Sequence, residues 1–178
     1  MRKTRKGYPV YPLTVAQKFH FYYMDFCPKK EVLNIGTSLT IGADLDFDVL
    51  KRAIGEAYER CECLKVHFFK DKDGTWYQYV CQDAVMEIGS EDFSGKTMEE
   101  AEAVLQSWTQ VPFTKEDAPM SRIVMIRMPD GFQGVYFLVD HRIMDAQSMI
   151  CFLKDIIEIY CHNVYEGVAY PKEMASYI

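Results

Sequence analysis

The run Phe132-Gln133-Gly134-Val135-Tyr136-Phe137-Leu138-Val139 constrains this chain more than any other segment. Past Gln133 and Gly134 it lacks the polar alternation of a strand with one wet face, so it predicts a central strand over 132–139, buried on both sides. Covering such a strand takes a sizeable core. The 178 residues, 49% of them hydrophobic and 26% charged, suit one domain and leave too little chain for two. Arg122 to Met128, joined to the run through Pro129-Asp130-Gly131, predicts an antiparallel neighbour.

Other elements follow from spacing and caps. Leu33, Ile35, Thr37, Leu39 and Ile41 alternate as in a strand, and Val66-His67-Phe68-Phe69 with Trp76 to Val80 flank the turn Asp71-Lys72-Asp73-Gly74 as a hairpin. Thr14 with Gln17 and Thr97 with Glu100 are capping-box pairs that open helices. Behind the first lies an aromatic stripe, Phe19, Phe21, Tyr22 and Tyr23, assigned to the core. Asp46 caps a helix bearing Leu50, Ala53, Ile54, Ala57 and Tyr58, and Asp145 or Ser148 caps a last one bearing Met149, Phe152, Leu153, Ile156, Ile157 and Tyr160. The expectation is an α/β fold: a mixed, mostly antiparallel sheet with helices near 47–61, 97–109 and 146–161 on one face.

The net charge of -6 argues against a nucleic-acid partner, which requires a basic face. Arg2, Lys3, Arg5 and Lys6 form the one basic cluster and read as a solvated tail. Pro9, Pro12, Gln17 and Lys18 break up any signal-like apolar run after it, and no stretch approaches the roughly 18 apolar residues of a membrane span. A cytoplasmic protein without a membrane partner is expected. Its six cysteines have no metal-type pairing, and are expected to be buried free thiols. Cys61, Cys63 and His67, at a helix end running into a strand, would point different ways, so no metal is assigned.

Chemistry concentrates where the central strand ends, at Asp140-His141-Arg142-Ile143-Met144-Asp145-Ala146. A strand holds one end of this loop and a helix the other, a rigid way to present a histidine, whose neutral imidazole takes a proton near pH 7. The spacing alone favours a core or surface histidine beside an N-capping aspartate. Ser148 has no Gly-x-Ser-x-Gly elbow around it, and His20, His67 and His162 have no companion aspartate at a suggestive spacing.

The ordered set of motifs resembles the N-terminal half of a condensation domain of nonribosomal peptide synthesis. Tyr11-Pro12-Leu13-Thr14 with Gln17 resembles the opening motif, and Arg60-Cys61-Glu62-Cys63-Leu64-Lys65-Val66-His67-Phe68 is similar to the family's Arg-His-Glu-x-Leu-Arg-x-x-Phe segment. Pro112-Phe113, Ala118-Pro119-Met120-Ser121-Arg122 and the helix ending in Tyr160 fall at similar places. Asp140 to Ala146 stands where the family has His-His-x-x-x-Asp-Gly, departing from it at Asp140 and Ala146. The loop also resembles the Asp-His-Arg-x-x-Asp-Gly signature of dihydrolipoamide acyltransferases, where an aspartate before the histidine is normal.

The resemblance implies a chloramphenicol acetyltransferase-like two-layer sandwich, residues 1–178 forming a single N-terminal lobe whose second lobe lies outside this chain. It implies acyl transfer from a thioester, on the phosphopantetheine of an acyl carrier protein or on coenzyme A, to an amine or alcohol. His141 would be the general base, and Asp145 would turn away to pair with an arginine, for which Arg60 is the candidate. Arg142 is left to solvent. No permanently bound cofactor is implied. The aromatic stripe could otherwise line an acyl channel, and Ala146 could crowd a donor where a glycine gives room. A lobe alone would leave an apolar face for a second lobe or for self-association. Two alternatives stand beside this reading: a non-catalytic lobe that binds a carrier or partner, and a trimeric enzyme of the dihydrolipoamide or chloramphenicol acyltransferase kind.

Overall fold

The computed structural model describes residues 4–172. Short strands β1 (Thr4–Arg5) and β2 (Tyr8–Pro9) form a hairpin, and β3 (Tyr11–Pro12) leads into helix α1 (Val15–Phe26). Strand β4 (Asn34–Gly42), helix α2 (Phe47–Arg60) and the hairpin β5 (Val66–Lys70) and β6 (Trp76–Val80) follow. The second half runs β7 (Ile88–Asp92), α3 (Met98–Thr109), β8 (Ser121–Arg127), β9 (Gln133–Asp140) and α4 (Ala146–Val164).

The local signals act as their chemistry dictates. Thr14 and Gln17, and Thr97 and Glu100, close both capping boxes, while Asp46 accepts from the amides of Asp48 and Val49. Each cap is worth about 1 kcal/mol. Leu50, Ala53, Ile54, Ala57 and Tyr58 form the buried stripe of α2. β9 is central: all eight of its residues are buried, and it pairs antiparallel with β4 on one side and β8 on the other. Gly134 is required there, since a Cβ at that position would lie 1.9 Å from the Leu39 carbonyl oxygen.

The sheet order is β4-β9-β8-β7, with β7 added parallel to β8. The sequence reading missed β7, whose Gly89-Ser90-Glu91-Asp92 is polar because it forms an edge. The β5–β6 hairpin joins β3 in a separate three-stranded antiparallel sheet.

The mixed, antiparallel-rich α/β class stands, but the expected placement of helices on one face does not. Successive residues of β9 face opposite ways. Phe137 meets Phe152 of α4 with ring centroids 5.0 Å apart, whereas Tyr136 meets Trp108 of α3 at 5.2 Å. Helices α4 and α3 therefore cover opposite faces, and α2 packs with α4. The reason lies in β9 itself, because a strand apolar on both sides would leave Tyr136 and Leu138 in water under a single layer.

Two further expectations are corrected. Of the aromatic stripe on α1 only Phe21 is buried, while Phe19, Tyr22 and Tyr23 are exposed. Arg5 is not part of a solvated tail, since its guanidinium pairs with Asp117 and sits 4.5 Å over the Phe69 ring. Arg2 and Lys3 lie outside the described residues.

Candidate active site

β9 delivers Asp140 fully buried and, immediately after it, His141 exposed at the start of a turn whose next residues are buried. The change of environment within one residue is held by backbone bonds: the Asp140 amide donates to the Met120 carbonyl at 2.9 Å, and the His141 amide to the Leu33 carbonyl at 2.8 Å. Both are long-range ties.

The principal clamp is an ion pair that sequence reasoning did not find. Arg142, which the sequence left to solvent, is buried beside Asp140. Its Nε and Nη2 donate to the two carboxylate oxygens at 2.8 Å each, its backbone amide adds a third bond of 2.8 Å, and Nη2 also donates to the Phe113 carbonyl at 2.8 Å. The guanidinium stacks 4.8 Å over the Phe21 ring, and Gln17 Nε2 donates to the Arg142 carbonyl at 3.2 Å. Such planar, two-bond pairing is geometrically strict. Asp140, a departure from the condensation motif, thus fixes the loop. The available signal was a charge set among Val139, Ile143 and Met144, since an arginine in an apolar stretch needs a partner.

Asp145 and Arg60 are not brought together. Asp145 is exposed and caps α4, its Oδ1 accepting from the Ser148 amide at 2.7 Å. That bond, with a smaller contribution from His141, holds its carboxyl below the usual range. Arg60 instead pairs with Asp155 of α4 at 3.3 Å, donates to the Pro171 carbonyl at 3.2 Å and stacks 4.9 Å from Tyr170. Burial pushes the Asp155 carboxyl up against the pull of Arg60. The correction has a simple cause: Arg60 ends α2, and α2 packs along α4, so the acid it meets lies two turns into that helix and not at its cap. Asp145 still supports the loop, as a cap. Ala146 is the first residue of α4 and is not among the residues lining the cavity beside His141.

That cavity has a volume of about 770 Å³ and is bordered by Gln17 and His20 of α1, Cys61 and Cys63 after α2, His141, and Cys151 of α4. His20 was also missed. Its ring lies 4.8 Å from that of His141, centroid to centroid, and its buried Nδ1 has no hydrogen-bond partner. Burial first, and the neighbouring His141 second, hold its pKa below the ordinary imidazole value. His67, by contrast, is buried against Tyr79 in the small sheet, and His162 is an exposed residue bonded to the Val168 carbonyl at 2.6 Å. The arrangement offers one reachable imidazole on a rigid loop, a second beside it, and space for a substrate.

A family model described as Condensation domain matches residues 9–178. Gramicidin S synthase 2 of Aneurinibacillus migulanus is 28% identical over 152 residues, covering 84% of this chain and 3% of that protein. Surfactin synthase subunit 1 of Bacillus subtilis is 27% identical over 158 residues, covering 84% and 4%. Among solved structures, the first condensation domain of the calcium-dependent antibiotic synthetase, in complex with a substrate analogue, superposes with a TM-score of 0.78 at 24% identity, covering 92% of this chain and 40% of that one. A variant starter condensation domain of rhizomide synthetase in complex with C8-CoA gives 0.79 at 18% identity, covering 92% and 38%. The chain thus spans a small part of the synthetases and about two fifths of the solved domains.

Proposed function

This chain belongs to the condensation-domain family, and on that premise we propose that it supplies the base-bearing lobe of an acyltransferase. The donor is a thioester carried on the phosphopantetheine of a carrier protein or on coenzyme A, and the acceptor is an amine or alcohol. The observation that carries the reading is His141: exposed at the wall of the cavity, on a loop clamped from behind by the buried Asp140–Arg142 pair. A general base must reach within about 2.6–3.2 Å of the proton it takes, and a fixed loop lowers the cost of holding it there. His141 would take the proton of the nucleophile as it attacks the thioester carbonyl. Collapse of the tetrahedral intermediate then expels the pantetheine thiolate, to which the imidazolium returns the proton. The thioester is substrate, and no resident cofactor enters the scheme.

The same proposal includes a covering lobe. Val15, Phe19, Tyr22 and Phe26 recur at i, i+4, i+7 and i+11 along α1 and are all exposed, on the side away from the buried Gln17, Phe21 and Met24. This stripe adjoins the cavity through His20, and a second lobe or a second copy would pack on it. Six free thiols accord with the cytoplasm as the compartment.

The test is acyl transfer from a carrier-bound or coenzyme A thioester by the protein in its full genetic context. His141→Ala should lower the rate by roughly 10²–10⁴ with folding intact, because the side chain is exposed. An unchanged rate would refute catalysis by His141 and leave a lobe that binds a carrier or partner.

A further inference from the structure

Cys61 and Cys63 enter the cavity wall in an arrangement that their sequence spacing does not dictate. Their sulfurs lie 3.3 Å apart. Cys61 caps the end of α2 with φ -102° and ψ 86°, and the Leu64 amide donates to the Cys61 carbonyl at 3.1 Å, a tight turn that brings the two side chains together. Cys61 is buried and Cys63 half-buried, yet both border a cavity open to small molecules.

We propose that Cys61 and Cys63 form a dithiol–disulfide exchange site in this wall, reacting with the disulfides of low-molecular-weight thiols. The inference rests on the two sulfurs and the cavity and is independent of acyl transfer by His141.

The chemistry balances with one oxidant molecule, RSSR. Either sulfur can donate across this contact, and with the Cys63 S–H donating, thiolate is favoured at Cys61 and the Cys63 thiol is pushed up. The Cys61 thiolate attacks one sulfur of RSSR, forming a mixed disulfide and expelling RS⁻, which takes up the proton Cys61 had released. Cys63 then loses its proton, attacks the Cys61 sulfur of the mixed disulfide, and expels the second RS⁻, which is protonated in turn. Two protein thiols are oxidised by two electrons, and RSSR is reduced to two RSH. Closing 3.3 Å to the roughly 2.05 Å of a disulfide requires the sulfurs to approach by a little over an ångström, within reach of side-chain rotation.

The test treats the folded chain with oxidised glutathione and follows it by mass spectrometry after tryptic digestion. Trypsin cuts after Arg60 and Lys65, so residues 61–65 emerge as one peptide holding both cysteines. In the wild type that peptide should lose two hydrogens before the exposed Cys151 takes up glutathione. Cys63→Ser should instead accumulate one glutathione on Cys61, and Cys61→Ser should react about tenfold more slowly at this peptide. Circular dichroism of the near-isosteric variants verifies that each is folded. The proposal is overturned if peptide 61–65 stays reduced while Cys151 reacts, if Cys61→Ser reacts as fast as the wild type, or if the advantage over Cys151 persists in urea.

Discussion

Replacing Arg142 by methionine removes the charge behind His141 while keeping an unbranched, apolar stem under Phe21. Asp140, fully buried, would then retain one donor, the Arg142 amide at 2.8 Å, and lose the two guanidinium bonds of 2.8 Å. Charge-assisted bonds contribute about 1.5–3 kcal/mol each, giving about 3–6 kcal/mol. Breaking a buried pair by deleting one partner costs about 3–5 kcal/mol by direct comparison, and the two figures agree. With a urea m-value near 2 kcal/mol/M, the midpoint should fall by about 1.5–2.5 M. Asp140→Asn should lose a similar amount, because it strands the arginine. The double variant should recover about 2–3 kcal/mol relative to additivity, since neither charge remains to be compensated. Lys154→Met serves as a control: it breaks the exposed Lys154–Glu158 pair at 3.4 Å and should cost no more than about 0.5 kcal/mol. A midpoint shift for Arg142→Met as small as that of the control would refute the argument that a buried pair clamps the loop.

Asp145→Ala should cost about 1 kcal/mol in urea unfolding, the value of a helix cap, and a loss above about 3 kcal/mol would show a buried ion pair that this structure does not contain. Asp117 has its carboxyl held below the usual range first by the Arg5 hydrogen bond and then by that of Tyr79, so its contribution to stability is full above the unfolded value near 3.9 and lost as pH falls through the lower folded value. Asp117→Asn should flatten that part of the acid limb of a midpoint-against-pH plot, and an unaltered acid limb would refute the linkage. Phe19→Glu with Tyr22→Glu should reduce concentration-dependent association in light scattering without changing the circular dichroism spectrum, whereas a wild type monomeric at every concentration would remove the self-association reading of α1.

By itself the sequence determined what depends on neighbours along the chain. The two capping boxes, the Asp46 cap and the apolar stripe of α2 follow from helical geometry. The centrality of β9 follows from a run with no wet face. Motif order likewise pointed to the family. Tertiary structure decided which surfaces meet. Phe137 and Tyr136 are adjacent, yet one faces α4 and the other α3, which placed helices on both sides of the sheet. Arg60 found Asp155 because α2 lies along α4, and Asp145 was left to cap. Arg142 and Asp140 are only two residues apart, but their burial depends on Phe21, Phe113 and Gln17 arriving from distant segments. Backbone periodicity fixes the direction of each side chain relative to its own element, whereas the desolvation that gives a charge its chemistry comes from elements far away in sequence.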